Sequence, residues 1–347
     1  MFAHKKLLQL FIVPLLAAPL AATAGPGYCA RLIDHFYPYD LGENGEVVGA
    51  AQTATGWEAA IWKDGAITRY GTLGGNSAGF TSISSNGRLA GVSNLFGNRV
   101  AHAFIYDNGI MRDITPDTKG SSGAASINAS GEVVGTFAFN ASTVRPFVLS
   151  KAGFIDLGTP GARYSGIAGI NDAGTAVGWS ETAADANQQR TYYSFVYADG
   201  VKTILAAPGW HGIGVSRLNN PGDIVGYATR DGGATHAFLY ARGVMRDIDT
   251  LANEYSSGLD INDRGQVVGQ FIKTFGGPNS AFLYENGRMR DMNGMVGGME
   301  GRNLDHAFAI NNKGQILVYA CSNTLGCENI LVEPSDGCGE ATSAPRR

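Results

Sequence analysis

The chain has 347 residues, 44% of them apolar and 16% charged, with a formal net charge of −4; this is ample apolar material for a buried core and too little charge for a disordered chain. Glycine accounts for 49 residues, about twice the usual share, which excludes a helical bundle. Lys and Arg are scattered, with no basic stripe to neutralise a phosphate backbone, so no nucleic-acid partner is expected.

In chain order, Lys5 and Lys6 precede an apolar stretch from Leu7 to Leu20 and the small residues Ala22-Thr23-Ala24. This pattern predicts a signal peptide over 1–24, and no later segment is apolar enough to span a bilayer. The mature chain is therefore expected outside the cytoplasm, as a single domain over 25–339 followed by a disordered tail over 340–347. All four cysteines, Cys29, Cys321, Cys327 and Cys338, lie in the exported part, and an even count in an oxidising compartment predicts disulfides. Their spacing does not match a zinc site, and neither a metal nor a cofactor is expected.

A phrase recurs along the chain. It reads Glu43-Asn44-Gly45-Glu46-Val47-Val48-Gly49, then Ser85-Asn86-Gly87-Arg88-Leu89-Ala90-Gly91, and returns most fully as Asn262-Asp263-Arg264-Gly265-Gln266-Val267-Val268-Gly269. The turn glycines at 45, 87, 131, 174, 222, 265 and 314 are spaced by 42, 44, 43, 48, 43 and 49 residues. A second phrase follows each copy, such as Ala59-Ala60-Ile61-Trp62 or Ala281-Phe282-Leu283-Tyr284, and a third, such as Met245-Arg246-Asp247-Ile248, follows most of them.

Residues before the phrase read as strand a, Asn-x-x-Gly as a tight hairpin turn, the Val-Val run as strand b, the Ala-Phe-Leu-Tyr run as c and the Met-Arg-Asp-Ile run as d. Such a four-stranded antiparallel meander cannot bury both faces alone, whereas seven around an axis can. The fold expected is all-β, a seven-bladed β-propeller. The last unit ends after strand c, and Ala30-Arg31-Leu32-Ile33-Asp34 supplies the missing d strand from the other end, closing the ring. Cys29 and Cys338 flank that closure, which predicts a Cys29-Cys338 bridge and leaves Cys321-Cys327 to pair within the last blade.

The chain resembles the HAF-repeat family of bacterial extracellular proteins through His102-Ala103-Phe104 and His236-Ala237-Phe238 on strand c; His306-Ala307-Phe308 falls on strand a and is not a copy. The resemblance implies a bacterial secreted or periplasmic repeat protein and transfers no activity. The first unit, with Ala59-Ala60-Ile61-Trp62, and the last depart from the pattern.

The repeat-invariant turns share one face of a propeller, so ligand-contacting residues are expected in the d-a loops of the other. These supply Tyr37, Tyr39, Arg163, Tyr164, Trp210, His211, Glu254, Tyr255, Arg302, Asp305 and His306, a mixture of ring faces and polar groups suited to sugars. The leading expectation is a monomeric binding module for an extracellular glycan or protein. The alternative is a polysaccharide lyase or glycoside hydrolase at the channel mouth, with His211, Tyr164 and Tyr255 as acid and base. His102 and His236 occupy equivalent strand positions and are expected to bond Asp113 and Asp247.

Overall fold

The computed structural model describes residues 27–334 other than 186, 188, 231, 232, 300, 323 and 325. The expected leader, the tail and Cys338 lie outside the described residues. The described chain is all-β apart from one 3-10 turn at Met292–Gly294, and no described helix is long and apolar enough to cross a membrane.

The first antiparallel meander runs through Phe36–Leu41, Val47–Gln52, Trp57–Lys63 and Ala66–Gly71. The same order of four strands recurs over 74–113, 122–156, 165–204, 210–247 and 255–291. The last sheet takes three strands from Asn303–Ile310, Ile316–Ser322 and Gly326–Pro334, and its fourth is the N-terminal strand Tyr28–Ile33, antiparallel to Gly326–Pro334. Val296–Gly297 adds a short parallel pairing to that outer strand. Cys321 and Cys327 form the expected disulfide, Cα atoms 4.0 Å apart. Cys29 is also disulfide-bonded, while the pairing expected with Cys338 falls outside the described residues.

Each Asn-x-x-Gly turn closes by a hydrogen bond from the glycine N–H to the Asn carbonyl, as from Gly174 to Asn171 at 3.0 Å, with Gly174 at φ 80° where other residues are strained. The Asn side chain performs two further tasks. Asn171 Oδ1 accepts from Thr175 N at 2.9 Å, and its Nδ2 donates to Asn219 O of the next sheet at 3.2 Å. Asn128, Asn219 and Asn262 repeat both bonds, and Asn311 of the last sheet donates to Gly42 O of the first at 2.9 Å. All five are buried. In the second sheet, where Ser84 replaces the Asn, Asn86 donates instead to Ala129 O. Between the first and second sheets, Asp40 accepts from Ile83 N.

Sheets pack through an equally repetitive core. Phe104, Phe147, Phe195, Phe238 and Phe282 of the third strands are fully buried, and most of these rings lie against the glycine of the second strand. A Cβ on Gly178 would lie 2.3 Å from Gly166 O and 2.7 Å from Phe195 Cζ. The two irregular copies keep the same volume by other means. In the first sheet Ala60 stands where five others have Phe, and Phe36 from the inner strand fills the space beside Gly49. In the last, Val318 replaces the glycine and pairs with the smaller Ile330.

Gly178→Ala forces this contact open. It should destabilise the protein by about 1–3 kcal/mol, the usual cost of overpacking a close-packed core, read as a lower urea midpoint; an unchanged midpoint would show that the strand can move aside.

Candidate functional site

One cross-strand pair escapes the regularity of the repeat. The residue after the second-strand glycine faces a fixed position on the inner strand, and the pairs are Tyr37 with Ala50, Gly79 with Val92, Gly123 with Thr136 and Gly166 with Trp179. They continue as Gly214 with Tyr227, Ser257 with Gln270 and His306 with Tyr319. Size alternates across most of these pairs. A Cβ on Gly166 would lie 2.6 Å from Trp179 Nε1, and one on Gly214 2.3 Å from Tyr227 Cζ, so each large ring lies over a glycine that makes room for it.

Members of five of these seven pairs line clefts between neighbouring sheets. The first, of about 310 Å³, lies between the first and second sheets and is lined by Tyr37, Tyr39, Trp57, Ser77, Ser93 and Asn94 among others. The second, of about 390 Å³, lies between the last and first sheets and contains Tyr37, Tyr39, His306, Phe308, Tyr319 and Asn329. The third, of about 380 Å³, lies between the fourth and fifth and holds Trp179, Tyr192, Tyr193, Ile213 and Tyr227. Tyr37 is 54% exposed and Tyr39 44%, their ring centroids 5.1 Å apart. Burial, reinforced by Tyr37, pushes the Tyr39 phenol above its ordinary pKa and keeps it a neutral hydroxyl.

The third cleft is held by a buried carboxylate. Glu181 accepts hydrogen bonds from the N–H groups of Arg163 at 3.0 Å and Tyr164 at 3.3 Å and from the Tyr192 hydroxyl at 3.0 Å, with Arg190 at 3.7 Å. Burial opposes its charge, but these donors and Arg190 prevail and its pKa falls below the usual carboxylate range. Arg163 and Tyr164 thus position the cleft wall through their backbones, and Tyr192 stands beside Trp179 with centroids 5.8 Å apart.

Along the axis the turns surround a polar cavity of about 150 Å³ whose lining includes Asp40, Arg217 and Asp260. These occupy equivalent positions of the first, fifth and sixth sheets, where other copies have Ser82, Ser126, Gly169 and Ala309. Asp40 accepts from the N–H groups of Leu41 and Ile83, and Asp260 from Ile310 N at 2.8 Å. Arg217 donates to Ala168 O at 2.6 Å and lies 3.8 Å from Asp260. Burial raises both carboxyls against the pull of Arg217, Asp260 to about 7.

Several expected contact residues stand elsewhere than in loops. Tyr37, Tyr39, Trp210, His211, Tyr255, Asp305 and His306 all lie on inner strands; main-chain pairing extends into the segments read as loops, and Tyr and Trp suit a strand. Of this set, Tyr37, Tyr39 and His306 meet in a cleft. Trp210 stacks with Arg230 at 5.4 Å, and Arg302 pairs with Glu328 at 2.8 Å. Asp305 holds His306 Nδ1 at 2.9 Å, and Glu254 is exposed, its N–H bonded to Ile272 O. Tyr164, His211 and Tyr255 belong to the fourth, fifth and sixth sheets and line none of these clefts. His102 and His236 bond Asp113 at 2.7 Å and Asp247 at 2.9 Å, as their repeat positions imply. The sequence reading missed Trp57, Trp179, Tyr192, Tyr227 and Tyr319; for three of them the signal was an aromatic ring directly after the invariant second-strand position.

No protein-family model matches the chain, and no curated protein matches it in sequence. Among solved structures it is similar to the β-propeller domain of the Trilobed protease from Pyrococcus furiosus, at a TM-score of 0.57 and 12% identity over 88% of this chain and 94% of that one. It is also similar to the acylaminoacyl peptidase of Pyrococcus horikoshii, at a TM-score of 0.54 and 12% identity, covering 85% of this chain and 51% of that one. The chain thus spans about half the length of that peptidase. The fold is of the β-propeller kind. At this identity the likeness is one of fold, and function has to be argued from the clefts.

The axial carboxylate gives a pH signature. Folding holds the Asp260 proton more tightly than the unfolded chain does, so its stabilising contribution is complete below about pH 4 and is lost as pH rises to about 7. Asp260→Asn lacks this titration, and its melting temperature should gain on that of the parent between those limits; parallel curves would place the titration elsewhere.

Proposed function

We propose that this protein is an exported member of the HAF-repeat family, a monomeric seven-bladed propeller that binds an extracellular carbohydrate in the aromatic clefts between its blades. The observation that carries the reading is the variable cross-strand pair. In a repeat whose turns, glycines and core phenylalanines are nearly constant, this pair changes from sheet to sheet, and it places Tyr37, Trp179, Tyr227 and Tyr319 in open clefts. Ring faces stack on the C–H faces of sugars, while Asn and Ser side chains at the rim bond hydroxyls. A core position would not vary in this way, since packing punishes each change of volume.

The axis offers little room for a catalytic site. The axial cavity, at about 150 Å³, is below the roughly 300 Å³ at which ligand pockets begin. Its carboxylates are occupied by backbone N–H groups from adjacent sheets, which makes them fasteners of the ring. Closure of seven blades is supported by the pairing of Tyr28–Ile33 with Gly326–Pro334 and by the bond from Asn311 to Gly42.

Affinity electrophoresis against soluble neutral and uronic polysaccharides tests the binding. Retardation is expected with no product released, and Trp179→Ala or Tyr227→Ala should each weaken it about tenfold, the equivalent of roughly 1.4 kcal/mol for one stacked ring. Released oligosaccharides would establish an enzyme instead. Closure is tested separately by peptide mapping without reduction, where a Cys29-Cys338 peptide is expected; Cys29 paired elsewhere would refute it.

A further inference from the structure

The first and second clefts share a wall. Tyr37 and Tyr39 line both, and they stand as a ridge on the inner strand of the first sheet. Trp57 and Asn94 lie on one side, and His306, Tyr319 and Asn329 on the other. At about 310 and 390 Å³ each cleft is at the small end of the range for ligand pockets, about 300 to 1,000 Å³. The two together, joined over two half-exposed phenols, offer a continuous track of rings and amides. The linings hold no Asp, Glu, Lys or Arg, and the one titratable group besides the phenols is His306, held by Asp305. A polyanionic chain would find no Lys or Arg here, and a cationic one no carboxylate in the lining.

We infer that the ligand of this pair of clefts is an uncharged, extended glycan, bound astride the Tyr37–Tyr39 ridge with sugar units in both clefts at once. The inference rests on the carbohydrate-binding reading and adds to it a substrate class, neutral, and a mode, bivalent. Its physical consequence is a dependence on length. A disaccharide fills one cleft, whereas a chain that reaches across the ridge makes the second contact intramolecular and gains affinity without any new site.

Isothermal titration with β-1,4- and β-1,3-linked glucose, xylose and mannose oligosaccharides of two, four, six and eight units, and oligogalacturonates of the same lengths, provides the test. A neutral hexasaccharide is expected to bind at least about tenfold more tightly than the disaccharide of the same linkage, well within what linked sites can supply. Trp57→Ala and Tyr319→Ala remove one wall on either side of the ridge. Each should abolish the gain with length and weaken disaccharide binding in the cleft it lines, while the other cleft still binds the disaccharide. Equal affinity for short and long neutral chains would overturn the bivalent mode and leave carbohydrate binding standing. Preference for oligogalacturonate would overturn the neutral class. No binding by any member of the panel would overturn the carbohydrate reading and this inference with it.

Discussion

The architecture depends on a single amide used twice. In each Asn-x-x-Gly turn a buried asparagine satisfies an N–H of its own hairpin through Oδ1 and reaches the carbonyl of the next sheet through Nδ2. A buried amide left without partners costs on the order of 1–3 kcal/mol, so turn geometry and the spacing between sheets are coupled. Neither can change while the other is kept. Where the asparagine is missing, as at Gly42 and Ser84, other polar side chains bridge the same junctions: Asp40, Ser82 and Asn86. The replacements show that the junction must be bonded, whichever residue does it.

The same coupling explains the glycines. With sheets held at a fixed distance, the second strand passes close to the carbonyl of the first and under a phenylalanine of the third, and only a residue without Cβ fits. The irregular sheets confirm the volume argument: Phe36 replaces the missing ring beside Ala60, and Val318 with Ile330 exchanges a small and a large residue for two of middle size. A core this constrained leaves few positions free to vary. The freest lie at the outer end of the inner strands, where the main chain is still rigidly paired but the side chain opens towards the neighbouring sheet. Recognition built there inherits the precision of a strand.

Charge is distributed with the same economy. On the axis Asp40, Arg217 and Asp260 are part-buried and bonded to backbone. Two carboxylates stand just behind cleft walls: Glu181, 4% exposed, bonded to the Tyr192 hydroxyl and to two N–H groups, and Asp305, bonded to His306. The cleft linings themselves are aromatic, amide and hydroxyl.

The period of the turn phrase, the order of four strands per unit, the N-terminal strand as partner of the C-terminal hairpin and the bonds of His102 and His236 to strand d were all legible in the sequence. These features are encoded locally, by turn chemistry and by strand alternation, and they repeat, so each copy corroborates the others. Tyr37, Tyr39 and His306 could be named as exposed polar or aromatic residues near a strand end, though as loop residues. Trp57, Trp179, Tyr192, Tyr227 and Tyr319 could not be placed, because a cleft is formed by positions that meet only when strands pair in register and neighbouring sheets pack. Whether a ring after the second-strand glycine is buried or open depends on the size of the residue opposite it and on the next sheet about 43 residues away. The sequence by itself determined the repeating unit; only the tertiary structure decided which side chains share a cleft, because that depends on contacts between units that no local pattern encodes.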